Sequence, residues 1–432
     1  MKTLITLLLS VLSASAITTN KATSLSLSAV QAAVNAATPN SMVKLPAGTV
    51  TWNGTLNLNK VVWLCGSGTN ATKIISPPGN TVIDYTGPDG KLRISDIYFD
   101  LGDFSRSDHT AVFFGSENRQ FMIDNCRFRG GSKVIWLRPA LDYGVVTHCA
   151  FYDSDGEIYP WYSMGNGGAT SWELPIELGT VNTLVVEDCV FYRTRTIDGQ
   201  FTDECVYGQE GARVCYRYNL FKQDTPNTAA VMVDAHGLFG DGPPARGSVL
   251  YEFYKNRFEC SATYRAFNLR GGTHVNWSNT FSGNIGTIFQ LKNEGVSTTG
   301  QFDARDRIEE TFIWGNTLNG SLPSGQGIAI ESGSEPYVVK NVHYFTRPPQ
   351  DGDRFWHYVP LTYPHPLVTE WGAGGGGTPP EPPVTNPPPV VVGSKISVSY
   401  SIPATTGSKV GTNIVLQIPV TITVTATNVP NQ

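Results

Sequence analysis

Charge is scarce in this chain: Asp, Glu, Lys and Arg make up 16% of its 432 residues, and the formal net charge is −5. Such a balance gives no global attraction for nucleic acid or an acidic membrane, so an anionic ligand needs a local basic patch. Long hydrophobic runs are missing after the first sixteen residues, where nothing approaches the roughly 20 apolar residues of a membrane span. Sustained 3.6-residue periodicity is absent, which excludes helical repeats, and the leucine-rich and Trp-Asp blade signatures are absent as well. No Cys/His set has structural-zinc spacing, no phosphate loop occurs, and the Gly-x-Ser-x-Gly nucleophile elbow is missing.

Turn formers, by contrast, are abundant: 44 Gly and 28 Pro suit a turn-rich extracellular β protein. Through the middle of the chain a short tag recurs, Cys or Asn, any residue, then Phe. It stands at Cys126-Arg127-Phe128, Cys149-Ala150-Phe151, Cys189-Val190-Phe191, Asn219-Leu220-Phe221, Asn256-Arg257-Phe258, Asn279-Thr280-Phe281 and, with Leu for Phe, Asn316-Thr317-Leu318. The steps between tags are 23, 40, 30, 37, 23 and 37 residues, and Ile97-Tyr98-Phe99 is a degenerate copy 29 residues upstream. Repeats of this length signal a solenoid. Short apolar runs between the tags, rich in Val, Ile, Phe and Tyr and broken by Gly, Asn, Asp or Pro, make it a parallel β-helix whose coils stack about 4.8 Å apart. The Cys/Asn column then lies at an inner bend, where Asn tolerates left-handed backbone and its amides hydrogen-bond from coil to coil. The Phe column two residues later stacks in the core, and the uneven steps are loops of different length.

Residues 1–16, with Lys2, the apolar run Leu4 to Leu12 and Ala14-Ser15-Ala16, read as a secretory signal peptide. Seven cysteines in an exported chain raise the question of disulfides. Three fill the ladder column as small apolar groups, and Cys205 and Cys215 are the better candidates for a bridge. Ser28 reads as an N-cap before an Ala-rich helix, 29–37, that would cover the open solenoid end.

That helix, the phrase Leu45-Pro46-Ala47-Gly48-Thr49 and the strand Val61 to Leu64 leading to Gly66-Ser67-Gly68 resemble the first coils of pectate-lyase-like right-handed parallel β-helix proteins. The resemblance covers roughly residues 25–370; it implies the fold and an extracellular polysaccharide as partner, and leaves the activity open among lyases, hydrolases, epimerases and adhesins. The β-helix domain is expected over residues 17–371, followed by a Gly/Pro-rich linker at 372–393 and a β-rich tail at 394–432. The tail alternates with period two but is too short for a core of its own, so it either pairs with another chain or a cell-surface component or forms a weak terminal hairpin.

Strands are expected 11 to 14 residues before each next Phe, in the segments 135–138, 175–178, 233–236, 267–270, 289–292 and 328–331. With their apolar members inward, the outward column holds Trp136, Arg138, Glu177, Asp234, His236, Arg270 and Lys292, a stripe suited to an extended polymer. Asp234 and His236 share a face, where a carboxylate can tune an imidazole for proton transfer; equally, both can hydrogen-bond neighbouring loops. Arg246 lies close by in sequence, and Arg270 precedes Gly271-Gly272. Arg can clamp a carboxylate through two parallel hydrogen bonds. The resemblance implies an Arg or Lys as base in β-elimination of a uronic-acid chain, with Ca²⁺ or basic residues neutralising the carboxylate. Arg270, Arg138 and Lys292 fit those roles, and no metal ligands are assigned. A hydrolase needs two facing carboxylates, for which Glu177, Asp203, Glu204, Glu210 and Asp234 are available. Trp136, Trp161 and Trp172, with Tyr159 and Tyr162, are either sugar-stacking platforms or loop packing. A non-catalytic binding or adhesive β-helix is the reading from a different class.

Overall fold

The computed structural model describes residues 17–102, 108–138, 143–160, 168–194, 205–224, 226–237 and 245–371. The expected signal segment, linker and tail lie outside them, as do Trp161, Tyr162, Asp203 and Glu204.

Alternation of apolar and polar residues over three to five positions, broken by tight bends, gives short strands that pair only with equivalent strands one coil away, all in parallel. The result is a right-handed parallel β-helix with three strands per coil. Face 1 is a 12-stranded sheet that includes Phe121–Asp124, Gly144–Thr147 and Leu184–Glu187. Face 2 includes Arg127–Arg129, Ala150–Tyr152 and Val190–Arg193, and face 3 includes Ile135–Leu137, Ile158–Pro160 and Val206–Gly208. Faces 2 and 3 merge into one 18-stranded sheet because Arg257–Leu269 and Thr280–Leu291 run unbroken around the corner between them.

The phenylalanine column is the axis of the core. Rings of Phe99, Phe128, Phe151, Phe191, Phe221, Phe258 and Phe281 stack with centroids 5.3, 4.8, 4.9, 4.6, 4.5 and 4.7 Å apart. Strict register permits this: Phe128 pairs with Phe151, Phe151 with Phe191, and Phe191 with Phe221. The asparagine ladder beside it also forms. Asn256 Oδ1 accepts from the backbone N and Nδ2 of Asn219, both at 3.0 Å, while Asn219 Nδ2 also donates to Val186 O. Asn279 and Asn316 repeat the pattern. The left-handed residue, however, is the one before the ladder position: Asn125, His148, Asp188, Tyr218, Lys255 and Ser278 have φ between 49° and 59°. Each such non-glycine residue costs on the order of 1 kcal/mol, which the ladder bonds offset where Asn219, Asn256 and Asn279 follow.

Four further expectations change. The capping helix, α1, spans Leu27–Ala36, with Ser26 rather than Ser28 as N-cap, its hydroxyl accepting from Ala29 N. All seven cysteines are free and buried. Cys205 packs inside the solenoid and Cys215 outside face 1, because alternation along the strand turns Val214 inward and Cys215 outward, so the two cannot bridge. No strand forms at 175–178; the coil instead inserts a short helix, α2 (Ala169–Glu173). Arg213 holds it in place, with Nε donating to Ser171 Oγ at 2.7 Å and Nη1 to Pro175 O. Finally, the last coil closes at the strand Tyr344–Phe345, and the chain then runs back along the outside of face 1 to Trp371, ending in helix α4 (Pro366–Glu370). Helix α3 (Glu294–Thr299) lies between the last long strands.

Candidate functional site

Face 3 carries the expected outward stripe at 135–138, 233–236, 267–270, 289–292 and 328–331. Its N-terminal half is aromatic. Phe113 and Trp136 lie 5.1 Å apart, Trp136 and Tyr159 6.4 Å, and Tyr159 and Tyr207 stack at 4.7 Å, with Tyr207 5.1 Å from the His236 ring. Lys133 and Arg138 lie over the Trp136 ring, at 4.5 and 5.5 Å.

Its C-terminal half is charged. Arg270 makes a bidentate pair with Asp234, Nε to Oδ1 and Nη2 to Oδ2, both at 2.9 Å. Arg270 Nη1 lies 3.0 Å from His236 Nε2 and 3.3 Å from Glu294 Oε1. Arginine only donates, so Nε2 accepts and the imidazole proton sits on Nδ1, which donates to Gly237 O at 3.0 Å. Burial, reinforced by the Arg270 charge, pushes the His236 pKa down to about 3. Burial raises the Asp234 carboxyl while Arg270 pulls against it. Position 237 must be glycine here: a Cβ would lie 2.5 Å from Glu294 Cβ and 3.0 Å from Arg270 O.

Lys292, one coil further, is held more loosely. Its Nζ is 3.4 Å from Glu294 Oε2 and 3.6 Å from Glu331 Oε2, beyond ordinary hydrogen-bond length. Exposure separates the cluster into two layers. The Asp234 side chain is 0% exposed and His236 is buried, whereas the side chains of Arg270, Lys292 and Glu331 are 16%, 10% and 25% exposed. The inner layer fixes Arg270; the outer layer can meet a ligand.

Asp234, His236, Arg270 and Lys292 are therefore brought together. Arg138 stands three coils from His236 along the same stripe, on the order of 14 Å away, and with Trp136 belongs to the aromatic half. Glu177 does not join the stripe. It lies in the turn after α2, accepting from Thr180 and Asn182, and two residues on Gly179 N donates to Glu252, which is on face 1. Trp172 donates to Gly247 O at 2.7 Å and stacks against the Arg246 guanidinium at 3.9 Å, so the two brace the loop beside His236–Gly237. Trp161 lies outside the described residues. Glu210 is buried, and Gly168 at the start of α2 packs against its backbone.

Sequence reasoning missed Tyr207, Glu294 and Glu331. Glu331 was findable, since it occupies the same strand-end position as His236, Arg270 and Lys292 in the column. Glu294 follows the strand, as the first residue of α3, where no period reaches. Among the described residues no three His, Cys, Asp or Glu side chains converge as a metal site, and Asp234 and Glu294 are already spent on Arg270 and Lys292. This donor set does not fit Ca²⁺, and no step below runs through it.

No family model matches the sequence, and no curated protein matches it. Solved structures do. One is ORF18 of Geobacillus virus E2, at 14% identity and TM-score 0.40, over 76% of this chain and 59% of that one. Another is an alginate lyase from Paenibacillus sp. str. FPU-7, at 14% identity and TM-score 0.38, over 69% and 86%. A third is a pectin methylesterase from Aspergillus niger, at 12% identity and TM-score 0.41, over 80% and 97%. At such values the likeness assigns neither a family nor an activity.

Proposed function

We infer that this is a secreted polysaccharide-active protein whose face 3 binds an extended uronic-acid chain along the solenoid axis and cleaves it by β-elimination. The observation that carries the reading is the layered charge cluster. Fully buried Asp234 and neutral His236 hold Arg270 rigidly, while Arg270, Lys292 and Glu331 keep an edge toward solvent. Preorganised cations of this kind suit a carboxylate whose charge must be neutralised before the adjacent carbon acid can ionise.

In the proposed step, Lys292 and the outer edge of Arg270 take the substrate carboxylate. Glu331, the most exposed carboxylate of the cluster, takes the C5 proton. The C5–H electron pair forms the C4–C5 double bond as the C4–O bond breaks, and the departing oxygen is protonated by water. The aromatic half, Tyr207 to Phe113, offers ring faces for neighbouring sugars. That same ladder favours a second reading, a non-catalytic carbohydrate binder, since ring stacking needs no reactive group.

Incubating the purified protein with pectate, alginate, glycosaminoglycan and ulvan, with and without Ca²⁺, and following the ultraviolet band of unsaturated uronates tests this directly. Absorbance is expected to rise with one polymer, and E331Q to slow the rise about 10²- to 10⁴-fold while the protein stays folded. A flat trace with new reducing ends would mean hydrolysis, and no change of either kind leaves the binder.

A further inference from the structure

A second recess lies on the opposite side of the molecule's chemistry, on face 1 at the N-terminal coils, on the order of 25 Å along the axis from Asp234. It is a half-open cleft of about 800 Å³, within the range of small-ligand sites. Trp63 and Trp371 stand in its walls with Pro39 and Pro88, and Asn40 and Gln120 stand at its rim. The cleft is built around Arg93. Its guanidinium lies 4.1 Å from the Trp63 ring centroid, donates to both Asp124 oxygens at 2.8 and 2.7 Å, and reaches Trp371 O at 3.4 Å. The Trp63 indole is further fixed by Nε1 donating to Ser95 Oγ at 2.8 Å.

The charges here are already matched. Arg93 is neutralised by Asp124, and Lys91 by Glu370. Asp89 accepts from Arg119 N at 2.8 Å. A ligand gains little from ion pairing, so a free phosphate or a carboxylate is not what the cleft selects. What remains unspent is aromatic surface and two exposed side-chain amides. Among the described residues those of Asn40 and Gln120 have no protein partner, and each can donate to and accept from a vicinal diol. A fixed Trp63 indole, with Trp371 in the same wall and amides that match a diol, is the chemistry of a saccharide ring.

We propose that this cleft is an accessory saccharide-binding site, taking one or two sugar rings of the same polymer through Trp63, Trp371, Asn40 and Gln120. The proposal rests on the polysaccharide reading of face 3 but not on elimination. One chain held at both places would be retained through effective concentration, and turnover of fragments too short to span them would not depend on the cleft.

Affinity electrophoresis in gels containing pectate or alginate tests it, comparing wild type with W63A, with the surface variant N40A/Q120A and with K292M. Wild type is expected to be retarded by one polymer, and to stay so at high salt. W63A and N40A/Q120A are each expected to weaken retardation about tenfold while elimination of trisaccharides stays unchanged. N40A/Q120A guards against W63A merely unfolding the coil. Unchanged retardation in both cleft variants overturns the proposal, as does a wild type that no polymer retards. A retarded wild type that eliminates nothing, with cleft variants that lose retardation, sustains the cleft and sinks only the lyase reading. K292M should lose elimination and keep the cleft-dependent part of retardation.

Discussion

Two buried ion-pair clusters sit on different faces of this solenoid and are built from the same groups. On face 1, Arg217 pairs with Glu187 at 2.6 Å, and both side chains are 0% exposed. The returning segment closes over them: Leu361 O and Thr362 O accept from Arg217, and His365 N donates to Glu187 Oε1. Tyr254 Oη completes the shell at 2.9 Å. On face 3, Arg270 pairs with Asp234 at 2.9 Å, with the side chains of His236 and Glu294 beside it, and 16% of the Arg270 side chain stays exposed to solvent. Ion pairing as such therefore says nothing about function. A cluster whose donors are consumed by its own backbone is a structural closure; one that stops short of closure has capacity left for a ligand.

The largest effect that tests this contrast is on face 1. R217M leaves Glu187 buried without a counter-ion and should cost about 3–5 kcal/mol, read as a drop in the unfolding midpoint in urea. K292M on face 3 should cost clearly less, because Glu294 keeps Arg270 as its counter-ion, and should lose elimination instead. If K292M unfolds the protein as R217M does, the two clusters are alike and the contrast fails.

A pH titration sharpens the comparison at the next scale, because each cluster keeps a buried neutral histidine. Burial lowers His365 to about 4 and His236 to about 3, against 6.5 ordinarily. His274, in the core, is also lowered to about 3. An unfolded chain binds these protons first, so the stability they contribute is complete above pH 6.5 and is lost as pH falls toward 3 to 4. Thermal unfolding should show a midpoint that declines through this window. H365N should flatten the decline by one proton's share without changing turnover at pH 7. Because the raised carboxyls of Asp234 and Glu187 add an opposite slope, the decisive comparison is H365N against wild type: an identical pH dependence between 6.5 and 4 contradicts the neutral assignment of His365. The smallest effect is expected from Y363F, which removes an exposed tyrosine's hydroxyl that donates to the half-buried Asp188 carboxylate at 3.0 Å. It should shift stability by less than about 1 kcal/mol.

The parts legible in the sequence are those the solenoid repeats. The Phe and Asn columns, and the strands ending at Arg138, His236, Arg270, Lys292 and Glu331, follow from spacing, because each coil must present an equivalent residue to the next. Glu177 was misplaced because its coil carries an insertion, and α2 breaks the offset that works elsewhere. The left-handed corner fell one residue early because the ladder residue, whether Cys or Asn, is already turned into the core, leaving the strained φ to whatever precedes it, even Tyr218 or Lys255. Glu294 and the face 1 closure lie beyond periodic reasoning: one follows the strand end, and the other is a single non-repeating segment recognised only by what it covers.

That returning segment has a consequence in time. A plain solenoid is a one-dimensional stack in which each coil can settle as soon as its neighbour has. Here Glu370 reaches Lys91 and Trp371 O reaches Arg93, contacts spanning 279 and 278 residues of chain. Early coils can therefore assemble while synthesis continues, but Arg93, Glu187 and Arg217 wait for residues near the end of the described chain before their last partners arrive. Until then the outer side of face 1 is an unfinished surface with half-solvated charges, and a chain stopped before residue 361 would leave it permanently so.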